Sequence, residues 1–421
     1  MQQRTLVCML LSTGSMDGIS NWAAMSLVTS GGNSYNGSSG FKIGADAADL
    51  IWEKANQVNV GINAELFNGR LALSVDGYYQ KTSGLLYNIS TLATTGYTTR
   101  TANIGSLENK GLEVMVSGKI FDGPFKWELA TNLSYTKNKL LSLDGVLDMK
   151  INGGGANTGK VMHALMVGKP VSAFYMLRQD GIYQTDQEVP SKLYAKGVRA
   201  GDCKYFDYNN DGDITDDDRM YVGKVTPDIY GGITSTMNWK NFDLSIFCQF
   251  AAGGKILSAW KGCGGTEGTE HLGLASSSIK GYKNGTLVNS EQFYNISKYA
   301  ANHYWRGEGT SNTVPRPTLA GTFTGGFGNN LVSTRYLEDA SYFKFKTITL
   351  GYSLPHSLLS KIHVTGARIF VSLDNFFTLT KYSGYDPEFS YESNPTGNSY
   401  GADFGEQATL KSFIIGASIN F

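Results

Sequence analysis

The sequence predicts an all-β fold, an antiparallel transmembrane β-barrel with short periplasmic turns and long extracellular loops. Three observations predict it. Apolar residues recur at every second position in successive stretches, the period of a strand with two unlike faces. The connections between those stretches alternate short and long. Charged residues are only 17% of the chain, against 51 glycines, 24 tyrosines and 21 phenylalanines. That charge content is below the roughly 25% usual for soluble domains. It suits a wall that is wet on one face and lipid-facing on the other. No run of about 18 apolar residues occurs, so no transmembrane helix is predicted.

The amino-terminal residues 1–18 carry Arg4 followed by the apolar run Thr5 to Leu11. Such a run is at the lower limit of a secretory core, and no small-residue cleavage site follows. It reads as a start inside a longer gene. Residues 12 to 56 are rich in Gly, Ser, Asn and Ala and read as loop with one strand. Alternation begins at Val58, with Val60, Ile62, Ala64 and Leu66 on one face and Asn59, Gly61, Asn63 and Glu65 on the other. Asn68-Gly69 is a strong hairpin signal, and Leu71, Leu73, Val75 and Tyr79 return. Leu112, Val114 and Val116 lead into a turn at 121–124, followed by Trp127, Leu129, Leu133 and Tyr135. The next hairpin runs from Asp228 to Trp239 and from Phe242 to Phe250, joined at Lys240-Asn241. Strands at 341–353 and 367–376 flank a short connection, where Pro355 suits the first position of a helical turn. The last strand, Ser412 to Phe421, carries Phe413, Ile415, Ala417, Ile419 and Phe421 on one face, with Ile414 breaking the pattern. An apolar-faced strand ending in Phe resembles the closing strand of an outer-membrane barrel.

Short turns thus fall near 67–69, 119–124, 240–241 and 354–366, and long loops near 80–107, 137–226, 251–340 and 377–410. Outer-membrane barrels sort their connections by side in this way; sandwiches and propellers have no reason to.

Lys+Arg and Asp+Glu are equal at 36 each, so no net field favours nucleic acid as a partner. Cys8, Cys203, Cys248 and Cys263 lack CxxC spacing and read as free thiols, a Cys203–Cys263 bridge being unsupported. The histidines are scattered without HExxH spacing and no GxSxG occurs, so no enzyme is expected.

One segment matches a calcium loop. In 207–218, Asp207, Asn209 and Asp211 fall at positions 1, 3 and 5, Gly212 at the turn, Asp213 at the backbone-carbonyl position and Asp218 at position 12. Calcium takes six to eight oxygens, so clustered carboxylates on a tight turn are the chemistry it needs. Asp218 is one carbon shorter than the usual Glu, and no helix pattern flanks the loop. Ca2+ is the candidate cofactor; a solvated acidic turn is the other reading. Loop aromatics form the second candidate: Tyr304, Trp305, Tyr382 and Tyr385, with Phe293, Tyr294 and Tyr391 nearby in sequence. Their rings suit stacking on sugars along a substrate path; an interfacial girdle or loop packing is the reading the pattern favours.

Several long blocks resemble the SusC/RagA-type TonB-dependent transporters. They are YLEDASYFKFKTITLGYSLP (336–355) and ARIFVSLDNFFTLTKYSGYDPE (367–388), with Trp52-Glu53-Lys54, NIGSLENKG (103–111) and VGKVTPDIYG (222–231) in the family's order. The resemblance implies outer-membrane import of glycans or other oligomers, with a SusD-like surface lipoprotein as lid. It implies energy from TonB–ExbB–ExbD, delivered through a segment amino-terminal to the barrel. It also implies a complete barrel of 22 strands and a terminal Phe421 that resembles the signal read by the barrel-insertion machinery. Only nine alternating stretches occur here, no plug or TonB box has a counterpart, and residues 1–18 do not resemble the segment expected before Asn21-Trp22. The expectation is therefore that 19–421 form a C-terminal part of such a barrel, in contact with outer-membrane lipid and inactive in transport by itself. The alternative is a calcium-stabilised extracellular glycan-binding or adhesin β-domain.

Overall fold

The computed structural model describes residues 5–15, 28–30, 41–43, 50–90, 99–143, 149–151, 163–261, 273–274, 282–283, 286–287, 297–319, 328–359, 364–388, 400–405 and 407–420. A ten-stranded sheet takes its strands in chain order. They are β1 (Thr5–Ser15), β2 (Glu53–Leu66), β3 (Leu71–Ser83), β4 (Ser106–Asp122) and β5 (Phe125–Ser142), then β6 (Ile229–Trp239), β7 (Phe242–Ala252), β8 (Tyr342–Ser353), β9 (Gly366–Thr380) and β10 (Ser412–Asn420). Each strand neighbours the next, the meander of an up-and-down barrel wall.

Register turns alternation into faces. Ile62, Val75, Val114 and Leu133 stand directly opposite one another across β2 to β5, while the neighbouring row is Gly61, Asp76, Glu113 and Ser134. On β8 to β10 the rows are Leu350, Val371 and Ile415, beside Thr349, Ser372 and Ile414. The apolar set points outward: Val58, Val60 and Ile62 are 38%, 43% and 50% exposed, whereas Asn59 between them is half-buried and Gly61 buried. A soluble sheet inverts this order, since a water-facing row of aliphatics this long is an association site. A barrel in lipid requires it. On the other face side chains bond to each other: Ser74 donates to Asp76 at 3.0 Å, Asn138 to Asn109 at 2.6 Å and Ser412 to Asp374 at 2.9 Å. Ile414, the exception in the terminal alternation, falls in this polar register.

The short turns form where the sequence places them. Phe67, Asn68 and Gly69 all take positive φ (56°, 56° and 77°), and Arg70 N–H donates to Phe67 C=O at 3.2 Å. Lys240 and Asn241 reverse β6 into β7, Lys240 at φ 53°. Pro355 opens one helical turn, His356–Leu359, with Leu358 N–H donating to its carbonyl at 3.0 Å.

β1 adds a strand that alternation did not predict. Its backbone pairs antiparallel with β2 over the whole run from Thr5↔Asn63 to Ser15↔Glu53, giving ten strands in place of nine. Continuous apolar sequence from Leu6 to Leu11 carries no period of two, so alternation could not find it; β2 supplies the hydrogen-bonding edge that makes it a strand.

The chain divides into two compact units, 1–150 with 165–171 and 231–245, and 151–164 with 172–230 and 246–421. The first holds a small core of Leu140, Leu143 and Leu165 at the end of its strands. The second holds two cores built from the long connections. Phe174, Met176, Leu257 and Tyr336 centre one, and Leu177, Tyr183, Leu193 and Cys203 the other. Short strands staple these connections: Ala173–Met176 to Met220–Lys224, Gln179–Ile182 to Cys203–Tyr205, and Lys255–Ser258 between Leu337–Asp339 and Ala402–Asp403.

Candidate functional site

In the second unit the described parts of the long connections fold into a packed assembly, and most of the residues singled out from sequence lie there. In the 207–218 loop Asp207, Asn209, Asp211 and Asp213 each accept a backbone amide further on, and Asp218 accepts amides that precede it. Asp207 accepts N–H groups of Asp211 (3.2 Å) and Gly212 (2.8 Å), and Asn209 accepts a second bond from Asp211 N–H at 3.0 Å. Asp211 accepts from Asp213 N–H at 2.7 Å. Asp213 accepts from Ile214 N–H at 2.8 Å and pairs with Lys196 Nζ through both oxygens, at 2.5 and 2.7 Å. That Lys196 bond holds the Asp213 carboxyl below the usual carboxylate range. Lys192 donates to the Asp211 carbonyl. Asp218 is fully buried, its oxygens accepting from Tyr208 N–H (2.9 Å) and Thr215 N–H (2.7 Å) as half of a capping box. Gly212 at φ +79° and buried Ile214 close the turn. Among the described residues no three or more His, Cys, Asp or Glu side chains are grouped to hold a metal ion.

The aromatic candidates are dispersed. Tyr304 forms a bridge with Val314 and lies 4.6 Å beneath the Arg306 guanidinium. Trp305 donates from Nε1 to Gln184 at 3.2 Å and packs against Gly201, where an added Cβ would lie 2.4 Å from its ring. Tyr382 is buried at 5% exposure; its hydroxyl donates to Asp403 at 2.5 Å and accepts from Trp260 at 3.4 Å. Tyr385 is 80% exposed. Phe293, Tyr294, Tyr391 and Phe421 lie outside the described residues. Cys203 is a buried free thiol that donates to the Asn329 carbonyl at 3.4 Å, and burial pushes its pKa up.

Two charged clusters escaped the sequence reading because their partners are distant in the chain. Asp202, fully buried, accepts a two-pronged bond from Arg316 (2.8 and 2.9 Å), one from Asn329 at 3.0 Å and one from Arg199 N–H at 2.9 Å. It ties two long connections together, the one after β5 and the one after β7. Lys344, buried at the entry to β8, donates to Asp386 at 3.0 Å and also to Glu388, while Thr409 donates to Asp386 as well. A lysine inside the aromatic run Tyr342-Phe343-Lys344-Phe345 was the available signal. Glu388 also lines a cavity of about 260 Å³, with Pro227, Lys255, Tyr342, Pro387 and Tyr400.

The family model described as TonB dependent receptor-like, beta-barrel matches residues 15–246. TonB-dependent receptor P3 of Formosa agariphila is 30% identical over 380 residues, 89% of this chain and 34% of that protein. TonB-dependent receptor SusC of Bacteroides thetaiotaomicron is 26% identical over 385 residues, again 89% of this chain and 32% of the relative. The chain therefore spans about a third of the length of these relatives. Among solved structures, the RagAB peptide transporter superposes with a TM-score of 0.73 at 23% identity, over 99% of this chain and 41% of that one. The lipid-facing rows, the loops sorted by side and these likenesses agree, and the soluble adhesin alternative accounts for none of them. The chain belongs to the TonB-dependent receptor β-barrel family of the outer membrane, as a SusC/RagA-like member.

Proposed function

We propose that this chain supplies barrel wall and surface loops to an outer-membrane importer of glycans or other oligomers. Its outward aliphatic rows carry the proposal, because they commit the sheet to lipid and leave a polar face toward a lumen. In this reading a SusD-like lipoprotein caps the loop assembly, TonB–ExbB–ExbD acts through a segment outside this chain, and the barrel-insertion machinery reads Phe421. The cavity beside Tyr342 and Tyr400, and exposed Tyr385, are where oligomer groups meet aromatic faces. Deleting the gene from its host and comparing growth on oligomers with growth on their monomers tests the reading. Selective loss on one oligomer class is expected; equal growth on every oligomer would overturn it.

Calcium enters the proposal in a restricted form. The spacing of Asp207, Asn209 and Asp211 supports it, and Lys196 opposes it by occupying Asp213. Ca2+ at 207–218 would compete with that ammonium. Lys196→Ala should therefore raise the calcium affinity of the chain several-fold, measured by titration calorimetry in detergent. Unchanged heats with and without the substitution would leave the loop a self-bonded turn.

A further inference from the structure

A second, smaller cavity of about 230 Å³ adjoins the acidic loop, and its lining has an excess of negative charge. Asp180, Glu188, Asp207 and Asp213 line it, with Lys204 as its cation. Two of these carboxylates are already paired: Asp180 with Arg178 at 2.7 Å and Asp213 with Lys196 at 2.5 Å. Glu188 and Asp207 accept only backbone N–H bonds, Glu188 from Gln184 at 3.3 Å and Asp207 from Asp211 and Gly212. Neither has an ion-pair partner among the described residues.

Tyr183 makes the cavity more than an acidic cluster. Its side chain lines the wall at only 3% exposure. Its hydroxyl has no hydrogen-bond partner among the described residues and is not one of the sealed polar atoms, so it keeps contact with solvent at the cavity wall. Burial first, and then the charges of Asp207 and Glu188, push its pKa up to about 12. The hydroxyl therefore stays neutral and able to accept a bond, on the wall it shares with the two unpaired carboxylates. The neighbouring cation, exposed Lys204, places its ammonium 5.8 Å from the Tyr183 ring without reaching a carboxylate. A hydroxyl acceptor, an aromatic face and two carboxylates at one concave surface are what a compact organic cation needs. The volume is below the roughly 300 Å³ at which drug-sized sites begin, so it suits a head group on a slender chain.

We propose that the cavity lined by Tyr183, Glu188 and Asp207 binds a primary ammonium group carried by a ligand, in competition with Lys204. The ammonium donates to the Tyr183 hydroxyl and to the two carboxylates. Binding does not require transport, so a failed growth assay would leave this measurement standing.

The test uses the purified full chain in detergent, titrated with n-butylammonium and, as neutral control, n-butanol. Protonated glucosamine separates an amine on a sugar ring from one on a lysine-like chain; saturation by either cation supports the site. Butylammonium should bind at least tenfold more weakly to Glu188→Gln and several-fold more weakly to Tyr183→Phe. Lys204→Ala, which removes an exposed competitor, should tighten binding, an effect that misfolding cannot mimic. Equal binding of butanol, no saturation by either amine, or indifference to both Glu188→Gln and Lys204→Ala would overturn the proposal. So would saturation by Ca2+ with no amine binding.

Discussion

At the scale of single residues, the loop assembly depends on buried charge that is fully paired. Asp202 has no exposure and depends on Arg316 for two of its bonds. Removing one partner of a buried pair typically costs about 3–5 kcal/mol, because the other charge is left uncompensated. Arg316 is about a third exposed, so the lower end applies. Arg316→Ala should cost about 3 kcal/mol and speed limited proteolysis within the 172–230 connection. A conservative Arg316→Lys should recover only part of this, since lysine lacks the two-pronged fork. Acidity should loosen a different cluster. Burial acts to raise the carboxyls of Glu338 and Asp386. In Glu338, bonds from Ser258 and Lys261 outweigh it; in Asp386, bonds from Thr409, Glu388 N–H and Lys344 do. Both carboxyls therefore lie below their ordinary range. A depressed carboxylate stabilises fully above the unfolded value, about 4, and loses that contribution as pH falls through the folded one. Lowering pH from 7 to 3 should lower the melting temperature, and Asp386→Asn should lose less over that interval than the parent chain.

At the scale of elements, each strand has one face committed to lipid. Val60 lies near the middle of β2 in the outward row, and Gln57 on the other face. Val60→Arg should destabilise by about 2–4 kcal/mol, the cost of a basic residue near the bilayer midplane, whereas Gln57→Arg should cost little. Urea titration of the chain folded into lipid vesicles measures both. Glycines mark the close approaches on the polar face. The Tyr78 ring covers Gly111, where an added Cβ would meet it at 2.7 Å, and Phe370 covers Gly416 at 2.4 Å. The strands, their turns and the faces of β2 and β3 were legible from Val58-x-Val60-x-Ile62 and Asn68-Gly69, since period and turn chemistry are local. The pairing of β1 was not, because an unbroken apolar run fits a strand, a buried helix or a signal core equally. Nor were Asp202–Arg316 and Lys344–Asp386 legible, separated by 114 and 42 residues; one sequence carries no mark of which charges meet across such distances.

At the scale of the molecule, the sheet presents more apolar surface than water tolerates. The chain should sediment with outer membranes and need detergent to leave them; recovery in a detergent-free soluble fraction would contradict the lipid-facing assignment of the outward rows. The sequence by itself determined the all-β class, the sorting of short turns from long loops and the family, because alternation, turn residues and contiguous blocks are properties of neighbouring positions. Only the tertiary structure decided that the described parts of the long connections hold packed cores. It alone placed Tyr382 in the interior and Tyr385 outside it, and showed which amides and which lysine the 207–218 carboxylates meet. Those outcomes depend on what lies opposite each side chain after folding, and burial and charge pairing are set by that encounter rather than by position along the chain.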